Sequence, residues 1–244
     1  MENFLVNFLR GLRNLIYPAV CLGCSKRLNP DEENNFLCRN CWQALKRNVP
    51  PFCTRCGRTI EQKNKDFNIC KLCQNRSVYF DKAYAPFRYE GAIQKLIHSF
   101  KYKGNDYIGK VLADNIIEFI LEYHLPVSEI DVVMPVPLYS SRKREREFNQ
   151  AEVLAQLIAK RFNKTLVSNN LIRTRYTSTQ TELEYAQRLE NVKGCFNLKR
   201  PQEVANKNVL LIDDVLTTAA TVSEAASVLK EANARYIVVV TIAN

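Results

Sequence analysis

Eight cysteines arrive as four C-x-x-C pairs within one short stretch: Cys21/Cys24, Cys38/Cys41, Cys53/Cys56 and Cys70/Cys73. Nothing else in the chain constrains its fold as strongly. A C-x-x-C turn presents two thiolates to neighbouring corners of a tetrahedron, and two such turns joined by a short excursion complete a four-ligand zinc site. The regular spacing reads most simply as two consecutive sites, Cys21, Cys24, Cys38 and Cys41, then Cys53, Cys56, Cys70 and Cys73. Cross-bracing, with alternate pairs sharing a metal, is the second wiring. Disulfides are the competing use of the same residues and need an oxidising compartment. Residues 1–20 read instead as an amphipathic helix, with Phe4, Leu5, Phe8, Leu9, Leu12, Leu15 and Ile16 on a helical period broken by Arg10 and Arg13. They lack the apolar run and small-residue cleavage site of an export signal. A cytoplasmic chain with reduced thiols and two structural Zn2+ ions is therefore expected. The ninth cysteine, Cys195, stands apart and reads as a small buried hydrophobe.

Composition removes other classes. At 46% hydrophobic and 25% charged residues the chain can bury a core. No apolar run approaches the roughly eighteen residues of a membrane-crossing helix. Two histidines cannot build a three-histidine metal site, and seven glycines disfavour glycine-dependent nucleotide fingerprints. The formal net charge of +10 overstates the basicity, because each four-thiolate zinc site carries −2 once its metal is bound, and this weakens an argument for nucleic acid from charge alone. Phe36, Trp42, Phe52 and Phe67 nevertheless lie among Arg39, Lys46, Arg47, Arg55 and Arg58. They read either as a base-stacking surface for single-stranded DNA or as a small core around the metals.

Beyond Phe80 the paired cysteines end and helical and strand patterns alternate. Ala92 to Phe100, Ile108 to Tyr123 and Asn149 to Phe162 carry apolar residues on one helical face. Val132-Val133-Met134 is a strand stopped by Pro135 and Pro137; Val209 to Ile212 and Tyr236 to Ile242 are further buried strands, with a helix through Glu224 to Glu231 between them. Nearly continuous apolar strands alternating with helices predict an α/β fold, a parallel sheet covered on both faces. The expected division is 1–20, 21–79 and 80–244.

The sharpest chemistry lies where Val209 to Ile212 gives way to Asp213-Asp214-Val215-Leu216-Thr217-Thr218-Ala219-Ala220-Thr221. Two carboxylates leave the C-terminal end of a buried strand, where open α/β sheets bind ligands. The hydroxyls and free N–H groups that open the next helix can surround a phosphate. This segment resembles the 5-phosphoribosyl-1-pyrophosphate (PRPP) loop of type I phosphoribosyltransferases. The chain as a whole is similar to the ComF/ComFC competence proteins, through the cysteine head, Phe100-Lys101-Tyr102-Lys103-Gly104, Pro135-Val136-Pro137-Leu138, Arg146-Glu147-Phe148-Asn149-Gln150-Ala151-Glu152, and Thr179-Gln180 leading to Arg188-Leu189-Glu190-Asn191.

The resemblance implies a type I phosphoribosyltransferase-like parallel sheet flanked by helices, preceded by a small four-cysteine zinc-ribbon module. Asp213 and Asp214 would contact the ribose hydroxyls, with Mg2+ as cofactor, and Thr217, Thr218, Ala219, Ala220 and Thr221 would hold the 5′-phosphate. Arg142, Lys143, Arg144 and Arg146, with Lys101 and Lys103, would meet the pyrophosphate; the equal alternative is a solvated, mixed-charge helix start over Arg142 to Glu147, with Lys101 and Lys103 as ordinary surface lysines. Residues 173–194 would form a loop covering the site. Two functions stay open. One is a PRPP-binding transferase serving DNA uptake in natural transformation. The other is a non-catalytic platform that binds nucleic acid or other proteins of the competence machinery. One position departs from the family pattern: Ala219 stands where glycine is usual. If that residue is helical, alanine costs nothing; if it requires positive φ, alanine costs on the order of 1 kcal/mol.

Overall fold

A computed structural model describes residues 19–29, 36–60, 68–102, 106–177 and 185–244. The amphipathic segment expected over 1–20 therefore lies almost wholly outside the described residues, as do Phe67, Lys103, Gly104, Thr179 and Gln180.

Two short helices, α1 (Arg39–Gln43) and α2 (Lys71–Gln74), belong to the cysteine head. The remainder builds a five-stranded sheet from β1 (Lys82–Tyr84), β2 (Val132–Pro135), β3 (Thr165–Leu166), β6 (Asn208–Ile212) and β7 (Tyr236–Val240), in the order β1-β7-β6-β2-β3. Every pairing in it is parallel. Helices α3 (Ala92–Tyr102), α4 (Asp106–Glu122), α6 (Gln150–Arg161) and α8 (Ala220–Glu231) cover it, and α5 (Ser140–Arg146) follows β2. Beside it β4 (Leu171–Arg173) and β5 (Phe196–Leu198) form an antiparallel pair, with α7 (Tyr185–Val192) between them in sequence.

Alternation along the strands divides the core. Val133, Leu210, Ile212, Val238 and Val240 face a cluster with Leu96, Ile97 and Phe100 of α3, Ile116 and Ile120 of α4, and Leu154 and Ile158 of α6. Their neighbours Val132, Met134, Val209, Leu211, Ile237 and Val239 face Val222, Ala225 and Leu229 of α8 together with Leu171 and Phe196. Side chains of a strand alternate between faces, so a strand apolar at every position must be covered on both, as a parallel sheet is. The predicted fold class holds.

The sheet order also locates a crevice. From β2 the chain moves outward to β3, whereas from β6 it moves the other way to β7. The loops leaving β2 and β6 therefore part at a topological switch point. Pro135 and Ile212, the last residues of the two strands, are register partners, so both loops start side by side.

The cysteine head shares this core. Cys21, Leu28, Phe36 and Leu37 belong to the first cluster, and Cys53, Cys56 and Cys73 to the second. Phe52 sets its ring against Phe119 and Tyr123 of the α4 region at 5.7 and 5.0 Å, and Phe36 lies 5.9 Å from Tyr107.

Candidate active site and metal centres

The cysteines gather as two separate four-sulfur groups, Cys21, Cys24, Cys38, Cys41 and Cys53, Cys56, Cys70, Cys73, with all Sγ atoms of each group within 4.8 Å of one another. The wiring is consecutive, not cross-braced. Neighbouring sulfurs sit at 3.7 Å (Cys24, Cys38) and 3.6 Å (Cys56, Cys70). A disulfide would bring them to about 2.0 Å, whereas zinc–sulfur bonds of about 2.3 Å set tetrahedral edges near 3.8 Å. All nine cysteines are free thiols.

The two groups are copies of one design. Val20 bridges Arg27 as Phe52 bridges Thr59. Cys38 N–H donates to Cys21 Sγ as Cys70 N–H does to Cys53 Sγ, both at 3.3 Å. Charge is unevenly shared within each. Burial pushes the Cys21 thiol up, but the N–H groups of Cys38, Cys24 and Gly23 outweigh it and bring it down to about 6. Cys41 rises to about 12 through burial and its sulfur neighbours, and Cys56 rises to about 12 beside Cys53. Four crowded thiols cannot all ionise without a cation. These donor sets fit zinc, which would release their remaining protons on binding.

The second site lies at the switch point. A cavity of about 380 Å3 is lined by Lys101, Arg142, Arg146, Arg173, Asp213 and Asp214, with Thr217 and Thr221 beside them. A smaller hollow of about 30 Å3 is bounded by Asp213 and residues 215–222. One water needs about 10–15 Å3 on such a measure, so the hollow has room for a small polar group. The loop makes it by turning into α8 through Ala219, which caps the helix at φ 66° and ψ 0°. The second alternative for this residue is the one realised: the loop keeps a left-handed, glycine-like turn, and alanine bears the strain.

Charges are closely matched. Lys101 Nζ meets Asp214 Oδ2 at 2.8 Å, with side chains only 20% and 17% exposed. Burial would lower the Lys101 ammonium, but Asp214 outweighs it and the net shift is upward. Asp213 Oδ1 accepts the Asp214 N–H at 2.8 Å. Burial, then the adjacent Asp214 charge, pushes the Asp213 carboxyl up to about 7 against the pull of Lys101 and Arg173. Asp214, which already binds an ammonium, and Asp213 beside it make an oxygen donor set that fits a divalent cation.

Helical geometry sorts the arginines. Arg142 and Arg146 are one turn apart on α5 and share the cleft face; Arg146 lies over the Tyr102 ring at 5.2 Å and donates to Gln150 Oε1 at 3.2 Å. Arg144 and Lys143 sit between them on the helix, are exposed and do not line the cleft. Arg144 is therefore corrected: the cation that accompanies Arg146 is Arg142. Arg173 is a second correction. It ends β4 instead of opening a loop, and α7 occupies the eight residues Tyr185–Val192 of the 173–194 segment. Its Nη2 donates to Thr177 Oγ1 at 2.5 Å, while its Nε is buried without a hydrogen-bond partner. Burial lowers this guanidinium's pKa. His98 and Tyr102 of α3, their rings 4.8 Å apart and tilted by 41°, also face the cleft. Their one-turn spacing, with Lys101 beside them, was the available signal.

Three aromatics of the cysteine head, Phe36, Trp42 and Phe52, are spent on packing. They contact the sheet domain's helices or the first core cluster. Lys46 pairs with Glu90 and Arg47 with Glu122, each at 3.0 Å. Of the two readings of this interleaving, the core around the metals is the one these contacts support.

A double zinc ribbon domain matches residues 12–75, and a phosphoribosyl transferase domain matches residues 149–244. Competence protein F of Haemophilus influenzae is 28% identical over 216 residues, covering 86% of this chain and 90% of that protein. Over most of its length the chain is similar to the ComF/ComFC competence proteins. Competence protein ComFC of Bacillus subtilis is 26% identical over 243 residues, covering 88% and 90%. DNA utilization protein YhgH of Escherichia coli K12 is 27% identical over 221 residues, covering 88% and 92%. Among solved structures, an allosteric regulatory enzyme of purine biosynthesis overlaps 59% of this chain at 18% identity and a TM-score of 0.39, too loosely to bear on function. No helix among the described residues is long and apolar enough to cross a membrane.

Proposed function

We propose that this protein binds PRPP with Mg2+ at the β2/β6 crevice and transfers its phosphoribosyl unit to a nucleophilic acceptor, whose new bond to C1 of ribose replaces the bond to the departing pyrophosphate. One observation carries the reading. The acidic pair, the small hollow at the start of α8 and four cations, Lys101, Arg142, Arg146 and Arg173, share one cleft. That is the charge pattern of a ribose bearing a phosphate at one end and a pyrophosphate at the other. The hollow takes the 5′-phosphate through N–H groups and the Thr217, Thr218 and Thr221 hydroxyls. Asp213 and Asp214 hold the ribose hydroxyls, and would hold Mg2+, whose charge when bound offsets that of the departing pyrophosphate. Arg142, Arg146 and Arg173 face that leaving group, and Lys101 is free to turn to it once Asp214 has another partner. Catalysis is electrostatic: the cations stabilise charge that develops on the leaving oxygen as C1 of ribose becomes cationic. No histidine need move a proton. The relatives' names connect the family to competence and DNA utilization, and we assign this protein to DNA uptake on the cytoplasmic side of the membrane, with single-stranded DNA and competence proteins as its partners.

Calorimetric titration of Mg2+ and PRPP into the zinc-loaded protein, beside Asp213→Asn/Asp214→Asn, tests the reading. Saturable binding that the variant loses is expected. Absence of binding by folded, zinc-loaded protein would refute the PRPP site and leave the interaction-platform reading in its place.

A further inference from the structure

The two zinc ribbons are alike in backbone, yet they meet the rest of the molecule differently. The first braces α3, whose Lys95 Nζ donates to Gly23 O at 2.7 Å. The second reaches the phosphate-binding loop. Arg58 Nη2 donates to Leu216 O at 3.3 Å, and Arg76 Nη1 donates to Thr217 O at 3.5 Å. These arginines lie just beyond Cys56 and Cys73, the last cysteines of the two knuckles that one metal ties together. Arg55 Nη1 fastens the second knuckle by donating to Cys73 O at 3.0 Å and Arg76 O at 2.6 Å. The ribbon is itself anchored: Ala83 N–H of β1 donates to Arg55 O at 2.8 Å, and Tyr79 N–H donates to Ser223 Oγ of α8 at 3.1 Å. Cys53, Cys56 and Cys73 share a buried cluster with Leu216, Ala220 and Val222.

Peptide planarity turns these contacts into a statement about the loop. In a trans peptide the carbonyl of one residue and the N–H of the next point in opposite directions. Holding Leu216 O toward Arg58 aims the Thr217 N–H away from the ribbon, and holding Thr217 O toward Arg76 does the same for Thr218. Both residues border the small hollow. The counterparts of Arg58 and Arg76 in the first ribbon are Lys26 and Ala44, so the pair is particular to the second.

We infer that Arg58 and Arg76 of the second zinc ribbon are positioning residues for the phosphate loop: they hold its outer carbonyls so that its N–H groups present to an anion. The inference rests on the proposed reading of that loop, and its test separates the two. Hydrogen exchange of the zinc-loaded full chain is compared with that of Arg58→Met/Arg76→Met, alongside PRPP and Mg2+ titration of both proteins. Peptides spanning 213–221 are expected to exchange about tenfold faster in the variant, with β2 and β7 peptides unchanged, and PRPP affinity to fall on the order of tenfold. The single variants Arg58→Lys and Arg76→Lys keep the charge and a donor; each should restore much of the protection and affinity.

Unchanged loop exchange overturns the inference whether or not PRPP binds. Weaker binding with unchanged loop exchange also overturns it, since the arginines would then act on the ligand by charge alone. Failure of the wild-type protein to bind PRPP counts against the proposed function, and loop exchange then decides the inference by itself. If the double variant loses zinc or exchanges throughout, the single variants Arg58→Met and Arg76→Met, each of which removes one donor, carry the test. Local loosening of the loop in either, about threefold, supports positioning, and wild-type exchange in both refutes it.

Discussion

Ala219 and Asp213 show how single residues are bent to the needs of the loop. The methyl group of Ala219 sits in a left-handed turn that glycine occupies freely. Relief of that strain, about 1–2 kcal/mol, is partly offset by the greater unfolded-state freedom of glycine, about 0.5–1 kcal/mol. Ala219→Gly is therefore expected to stabilise the protein by about 0.5–1 kcal/mol in urea denaturation. A loss of stability would show that the methyl's packing against the second core cluster outweighs the strain. For Asp213 the sign follows from its raised pKa, about 7 in the fold against 3.8 ordinarily. The folded carboxyl keeps its proton longer than the unfolded one does. Its contribution is thus fully present below about 3.8 and is lost as pH rises through about 7. Asp213→Asn cannot ionise, so in metal-free buffer its stability advantage over wild type should widen by roughly 1–3 kcal/mol between pH 5 and pH 8. An advantage that stays constant over that range would mean that Asp213 titrates near its ordinary value.

Elements differ in how openly the sequence declares them. The helices α3, α4, α6 and α8 and the strands β2, β6 and β7 were legible because each has a face, or two faces, buried against the core; periodicity is the imprint of that burial. β1, β3, β4 and β5 were not, being two or three residues long. A strand that short has no period to read, and its existence depends on a partner strand elsewhere in the chain. The start of α5 reads as mixed charge, and only its placement after β2 puts Arg142 and Arg146 on the cleft and leaves Arg144 off it. The loop after β6 stood out because its carboxylates and hydroxyls are neighbours along the chain, gathered within a few residues at the start of a helix.

At the scale of the whole molecule the zinc ribbons act as braces on opposite walls of one cleft. The first holds α3, which carries Lys101; the second holds the loop that follows Asp214. Neither ribbon could bury a core unaided at this size, and the metals supply what apolar burial cannot. Native mass spectrometry should find two zinc ions per chain. Their removal by a strong chelator is expected to lower the thermal midpoint by on the order of 10 °C or more. A single ion, or a midpoint indifferent to the chelator, would contradict two structural sites.

What the sequence by itself determined is whatever depends on neighbours along the chain. The C-x-x-C turns, the helix faces, the doubly apolar strands and the carboxylate-to-hydroxyl run after β6 are all set by spacing within a few residues. The tertiary structure alone decided which sulfurs gather, that Ala219 is left-handed, that Arg173 lines the cleft, and that Arg58 and Arg76 reach Leu216 and Thr217. The last two contacts join residues 158 and 141 positions apart. Hydrogen bonds and ion pairs of that range leave no period in the sequence, because they are made only when the sheet order brings distant segments to the same edge.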